Sequence, residues 1–569
     1  MKILLVAMNA KYIHSNLAVY SLRAYAGAYR EQIELAEYTI NHRPDAILSD
    51  IYRRKPDVLC FSCYIWNISM VRELIRELYR LRPDLPVWAG GPEVSYECQA
   101  FLQENPTVTG IMRGEGEETF LELCEYYVNR NKPLEEISGL VFRNAGGELI
   151  ETPERGPLPM DQLPFCYEEL SDFQHRIIYY ESSRGCPFRC SYCLSSVEKS
   201  LRFRSLSLVY KELQFFLDRN IPQVKFVDRT FNCNHDHALA IWRFLKEHDN
   251  GITNFHFEIS ADLLTEDEIN FLGTLRPGLV QLEIGVQSTN PRTVEEIRRI
   301  MDLKRLEAVV KKVKEGGNIH QHLDLIAGLP YEDYPSFCQS FDRIYTLHPE
   351  QLQLGFLKVL KGSYMYDNRN AYGIVCHEAP PYEVMATRWL SYDEVLEIKK
   401  VEELLEVYYN SGQFEMTMQI LEQAFPGAFQ MFWELGRYYE ENDLFFMNHS
   451  RIRRSEILLH FIEEKGLEPL ELYQETLTFD LYHRENMKSR PSWAPEPFLF
   501  KTEAKRFREE RPDLRKRNVH LEPFYYDFSR FLQKKQMVGQ PVRNRERSFY
   551  LFDYEKREPL TGQADVVKL

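Results

Sequence analysis

Between Ser182 and Cys193 the chain reads SSRGCPFRCSYC, which sets Cys186, Cys190 and Cys193 at a C-x3-C-x2-C spacing. Three thiols on one short loop can converge on an inorganic centre, and two kinds suit them. A structural zinc site closes its coordination with a fourth ligand, which Cys233, His235 or His237 in NCNHDH could supply through the fold. A cubane iron-sulfur cluster held by three thiolates instead keeps one iron open to a chelating substrate or cofactor. The cysteines number eleven, an odd count, and several lie inside apolar strand-like runs, which argues against a disulfide framework. Cys60 and Cys63 in CFSC read as alternation within a buried strand.

The cysteine loop opens a run of strand-like segments: IIYYESSRG, VKFVDRTF, NFHFEISADL, VQLEIGVQS, HQHLDLIAGLP and QLQLGFLKVLKG. Amphipathic segments such as YKELQFFLDRN and LKRLEAVVKKVKEGG separate them, so the region predicts about six β/α units. Polar residues just after apolar strands project at the carboxyl mouth of such a repeat, where active sites assemble. Asp228, Glu258, Gln287 and Asp324 are the candidates there, with Ser288 beside them. Asp324 reads equally well as a buried acceptor for the amides of the Gly328-Leu329-Pro330 loop. Arg184 and Arg189 flank the thiols and could offset their charge.

The first 130 residues also alternate: KILLVAM, PDVLCFSCYIW, PVWAGG and GIMRG are strand-like, with helical patterns between them. This predicts a flavodoxin or Rossmann-like parallel sheet, an α/β arrangement whose ligands bind at the carboxyl edge of the strands. Asn9, Ser62, Gly90, Gly91, Gly114, Glu115 and Gly116 fall at that edge, and four such loops together favour a ligand. His14 is the imidazole near the first of them and reads as a loop or capping histidine.

The domain reading is then 1–130 for this sheet, 131–175 for a hairpin and proline-rich linker, 176–366 for a partial barrel of six β/α units, and 367–569 for a mainly helical domain. Segment 501–520, rich in both charges, reads as a solvated helical face. At 569 residues several cores are expected, and a formal charge of -15 argues against nucleic acid as the default partner. The N-terminal apolar run is too short for a signal peptide and no apolar stretch could span a membrane, so the chain reads as cytoplasmic.

With Tyr192 just before the third cysteine, the motif resembles that of the radical S-adenosylmethionine (SAM) superfamily. VDRTF, EIGVQS and DLIAGLP resemble the strand-end signatures of its branch with an N-terminal cobalamin-binding domain. The resemblance covers about residues 1–365, and the last 200 residues resemble a domain of unknown function found with this architecture. It implies a 4Fe-4S cluster on Cys186, Cys190 and Cys193, and reductive cleavage of SAM to a 5'-deoxyadenosyl radical. It further implies SAM contacts from Tyr192, Asp228, Glu258, Gln287 and Ser288, and cobalamin held by the seven edge residues of the first domain. The chain lacks D-x-H-x-x-G, so the cobalt would have no imidazole ligand from the protein. The implied activity is methylation of an unactivated carbon, or another radical conversion, served by a one-electron reductant such as flavodoxin or ferredoxin. A corrin-free enzyme acting on tRNA, like the methylthiotransferases, and a non-catalytic zinc-stapled binding protein are the alternatives.

Overall fold

The computed structural model describes residues 1–569 except 168–169, 171–172, 198–199, 496–500, 512–516 and 535–538. Its first sheet has seven strands in the order β2-β1-β3-β4-β5-β6-β7. They are β1 (Ile3–Asn9), β2 (Ile33–Thr39), β3 (Val58–Ser62), β4 (Val87–Gly90), β5 (Gly110–Met112), β6 (Leu140–Arg143) and β7 (Leu149–Glu151). The first five are parallel, and β1 is buried along its whole length, as a central strand covered by helices on both faces must be. Strand order reverses at β1, so the loops after β1 and β3 part there and open a crevice at the carboxyl edge.

Two features differ from the sequence reading. Strand β2 carries no continuous apolar run, because an edge strand buries only every third residue here, Ile33, Ala36 and Thr39. The hairpin β6-β7, expected in a separate connector, pairs antiparallel with β5 and completes the first sheet.

The second sheet is parallel throughout, in the order β15-β14-β13-β12-β11-β8. Its strands are β8 (Ile178–Tyr180), β11 (Gln223–Phe226), β12 (Asn254–Ile259), β13 (Val280–Gln287), β14 (His320–Ala327) and β15 (Gln351–Phe356), while β9 (Ser183–Arg184) and β10 (Arg202–Phe203) form a small hairpin over its mouth. Spatial order follows chain order, the arrangement of a β/α barrel left open between β8 and β15.

Beyond a short ribbon of β16 (Val375–Cys376) and β17 (Val384–Ala386), five helices from Tyr392 to Arg484 carry the third region. The mainly helical expectation for 367–569 needs correcting after Arg484. There β18 (Val519–Tyr526), β19 (Arg543–Arg557) and β20 (Ala564–Lys568) form an antiparallel sheet. Its apolar residues Phe524, Tyr550 and Phe552 pack around Phe479 of the last long helix. Of the charge-rich segment, Lys501–Glu510 is helical, 512–516 lie outside the described residues, and Val519 and His520 already belong to β18. No helix among the described residues is long and apolar enough to cross a membrane.

Candidate functional site

A cavity of about 1030 Å³ lies between the carboxyl edge of the first sheet and the mouth of the second. All seven predicted edge residues line it, Asn9, Ser62, Gly90, Gly91, Gly114, Glu115 and Gly116, as do Tyr179, Glu181, Arg184, Val227 and Arg229 from the barrel side. Tyr64 and Trp66, stacked at 4.4 Å, add an aromatic wall.

The edge loops are held from behind by Glu37, which periodicity did not single out because it sits on the irregular strand β2. Its carboxylate accepts from Asn9 Nδ2 (3.0 Å), Asn16 N (2.9 Å) and Tyr20 Oη (2.5 Å), and pairs with Arg176 (2.6 Å). The Asn9 side chain also donates to the His14 carbonyl, so its amide stiffens the loop. Gly91 has φ +109°, and a Cβ there would lie 2.4 Å from the Cys63 carbonyl. That glycine is required by the packing of one loop on another, whereas Gly114, at φ +77°, faces open space. His14 Nδ1 is engaged with the Tyr179 hydroxyl at 2.6 Å, and burial, with Lys11 and Lys225 nearby, lowers its pKa.

Glu115 lines the cavity and is also engaged with protein partners. Its carboxylate bonds Arg202 (2.5 Å), pairs with Arg184 (3.3 Å) and accepts from Leu158 N (2.9 Å); burial opposes ionisation, yet these partners hold its pKa below the ordinary value. Arg184, two residues before Cys186, also grips Glu117 (2.6 Å) and Glu181 (2.9 Å). Its role is thus to tie the cysteine loop to the first domain.

The cysteine loop starts at Gly185, whose φ of +92° brings it against the Ser200 carbonyl. It is then pinned by main-chain bonds: Cys193 N to Cys190 O (3.1 Å), Ser191 N to Ile297 O (2.9 Å) and Met365 N to Ser191 O (2.8 Å). Tyr192 packs on an apolar cluster containing Ile297, Leu357 and Met365. Cys190 is buried and the other two thiols are partly so. Burial raises the Cys186 and Cys190 pKa values, against the field of Arg229 for the first and Arg299 for the second. Arg299, whose Nη1 lies 3.9 Å from Cys190 Sγ, was missed from sequence because IRRIM reads as an ordinary charged helix end.

Among the described residues no three His, Cys, Asp or Glu side chains converge where one metal ion could sit. His235 pairs with Glu268 at 3.1 Å and His237 Nε2 lies 3.2 Å from Ser182 Oγ. His235 and His237 are thus engaged away from the thiols, while Cys233 stays within electrostatic reach of Cys186.

The strand-end candidates divide. Asp228 is fully buried and accepts from Ser182 N (3.0 Å), Ser182 Oγ (2.6 Å) and Ser183 Oγ (2.6 Å), so it anchors the strand that leads into the cysteine loop. Ser288 is buried too and donates to Glu332 at 2.7 Å. Glu258 pairs with Arg229 at 2.8 Å beside the cavity. Gln287, at φ +73°, keeps a buried Oε1 with no partner, which suits a ligand donor. Asp324 is not the acceptor of loop amides that the sequence allowed. It faces His322 at 3.1 Å without hydrogen-bond geometry, next to the group Lys225, Glu283 and His256 deeper in the barrel.

Residues 3–124 match the family described as B12 binding domain, 180–344 the Radical SAM superfamily, and 370–540 a protein of unknown function, DUF4080. The uncharacterized methyltransferase PH0819 of Pyrococcus horikoshii is 28% identical over 43% of this chain and 54% of its own. The cobalamin-dependent radical SAM methyltransferase TokK of Streptomyces tokunonensis is 28% identical over 50% of this chain and 44% of its own. The chain thus spans about half the length of these curated relatives. The cobalamin-dependent SAM radical enzyme OxsB, solved with aqua-cobalamin and SAM bound, superposes with a TM-score of 0.55 at 14% identity, over 90% of this chain and 81% of its own.

Proposed function

The chain joins a B12-binding domain to a radical SAM domain, and from that premise we propose that it is a cobalamin-dependent radical SAM methyltransferase. The single cavity shared by the first sheet's edge and the cysteine loop carries the reading, since a radical generator and a methyl carrier must meet at one substrate carbon. When bound, the cluster would deliver one electron to SAM and cobalamin would carry the methyl group.

The residues present fit those groups. Cys186, Cys190 and Cys193 would hold the cluster, with Arg299 and Arg229 offsetting its negative charge. Gln287 and Glu258 would take polar atoms of SAM, the first with its orphaned oxygen. Asp228 and Ser288 act behind them as positioning residues. The loops at Asn9, Ser62, Gly90-Gly91 and Gly114–Gly116 would surround the corrin, with Tyr64 and Trp66 against its rim. His14 is held by Tyr179 and its basicity is lowered, which supports a cobalt without a protein imidazole. The substrate would be a small molecule or peptide, the electron donor a flavodoxin or ferredoxin, and the setting the cytoplasm.

Anaerobically reconstituted protein should bind one 4Fe-4S cluster and one corrinoid and, when reduced, release 5'-deoxyadenosine from SAM. His14→Ala should bind hydroxocobalamin normally. Failure of hydroxocobalamin to bind a cluster-loaded protein would replace this reading with a corrin-free radical SAM enzyme.

A further inference from the structure

Closed β/α barrels fill their interior with branched apolar side chains, and the second sheet departs from that rule. Phe226, Phe257, Ile284 and Leu323 belong to the apolar core, where Phe257 meets Trp242 of the covering helix His235–Glu247. The alternate positions, which face the barrel interior, carry Lys225 on β11, His256 and Glu258 on β12, Glu283 on β13, and His322 and Asp324 on β14. Register sets Lys225 beside His256, Glu258 beside Glu283, and Glu283 beside His322. The six residues therefore form one continuous inner surface.

That surface opens on the cavity. Tyr179, which lines the cavity, pairs in register with Lys225, and Arg229, which also lines it, bonds Glu258 at 2.8 Å. Lys225, Glu258, Glu283 and Asp324 keep 20% to 25% of their side chains exposed although they lie inside the barrel, so open space stands in front of them.

The group is not closed on itself. Lys225 donates to Glu283 at 2.8 Å, but Nε2 of His256, Nε2 of His322 and Oδ1 of Asp324 have no hydrogen-bond partner among the described residues. His322 Nε2 and Asp324 Oδ1 lie 3.1 Å apart without hydrogen-bond geometry, and both imidazoles are more than nine-tenths buried. An orphaned buried polar atom costs stability, so three of them on one inner surface call for a ligand that completes them. A partner for the facing pair must donate to the carboxylate oxygen and accept from the imidazole. A hydroxyl does both from one atom.

We infer that the barrel interior seats the substrate and that it takes a water-soluble, hydroxyl-bearing molecule, with a hydroxyl between His322 and Asp324, rather than a lipid or hydrocarbon. An apolar substrate would leave the three atoms orphaned and the Lys225–Glu283 pair desolvated. The inference rests on the radical SAM chemistry proposed above and names the class of molecule on which it acts.

The test gives reduced, cluster- and corrin-loaded protein SAM together with either the aqueous or the chloroform phase of an extract of anaerobically grown bacteria, and reads the 5'-deoxyadenosine released above the uncoupled leak. The aqueous phase should raise the release and the chloroform phase should not. Aqueous phase whose hydroxyl groups have been capped with acetic anhydride should lose the effect. The shape-conserving double variant H322Q/D324N should lose at least about tenfold of the stimulation, as a site built around a hydroxyl does when its partners change, while still binding the cluster and SAM. Because its orphaned atoms have no protein partner to lose, the ligand-free variant should melt within about 2 °C of wild type. Stimulation by the chloroform phase, by the capped phase or by neither phase would overturn the substrate class. Stimulation that survives in H322Q/D324N, or a midpoint lowered well beyond that margin, would overturn the seat and make the pair structural. Wild type that takes up no iron or sulfide and releases no 5'-deoxyadenosine would instead remove the proposed function itself.

Discussion

Cys186, Cys190 and Cys193 differ from the other thiols in what surrounds them. Cys60 and Cys63 sit in apolar core and act as small hydrophobes, whereas the three loop thiols face two arginines. Substituting any one of the three by Ala should abolish iron and sulfide retention, and Cys233→Ala should leave both intact. Asp228 makes a separate statement at this scale. Burial pushes its carboxyl up to about 6 from 3.8, against three hydrogen bonds, so the folded chain binds the proton more tightly than the unfolded one. Its contribution to stability is complete below about pH 4 and is lost as pH rises through about 6, on the order of 3 kcal/mol. Asp228→Asn does not titrate, so the thermal midpoint of the variant minus that of wild type should climb between pH 4 and 7. A difference that stays level would show that Asp228 is not protonated in the fold.

At the scale of elements, the short helix Pro92–Ser95 after Gly90-Gly91 is held by the region beyond the barrel. The Tyr382 hydroxyl donates to the buried Glu93 carboxylate, and Tyr366 and Lys361 reach Glu97 at 2.8 and 3.2 Å. Burial already raises the Glu93 pKa, and Tyr382→Phe removes its donor. The cost should be about 1 to 3 kcal/mol, read as a lowered thermal midpoint together with weaker corrin uptake in an absorbance titration. Retained corrin affinity would mean that this helix does not shape the cavity. The same contacts show that the stretch from Lys361 to Tyr382, which leads from the barrel into the unknown-function region, seats both the Gly90-Gly91 loop and, through Met365, the cysteine loop.

For the molecule as a whole, Arg184 is the hinge of the assembly, since its guanidinium meets Glu115 and Glu117 of the first domain and Glu181 of the second. Arg184→Met should leave three carboxylates without that partner and cost roughly 3 to 5 kcal/mol. Separate thermal transitions for the two domains, with looser corrin binding, are the expected result in calorimetry. A single transition at the wild-type temperature would rule out this coupling role.

The thiol spacing, the βα alternation and the glycine and polar residues after the strands were legible because each is a local pattern: loop ligands, period, strand ends. Strand β2 was not, since an edge strand needs little apolar surface, and neither was the terminal sheet, whose core is completed by a helix far away in sequence. The sequence alone marked which residues can carry chemistry at the cysteine loop and at both sheet edges. Only the tertiary structure decided which of them stay available. Asp228, Ser288 and Glu115 have polar groups that the fold already satisfies, Gln287 keeps an orphaned oxygen, and Arg299 and Glu37 acquire roles from distant partners. The reason is physical: whether a polar side chain is free for a ligand depends on which donors and acceptors folding brings within hydrogen-bond reach, and no local pattern encodes those.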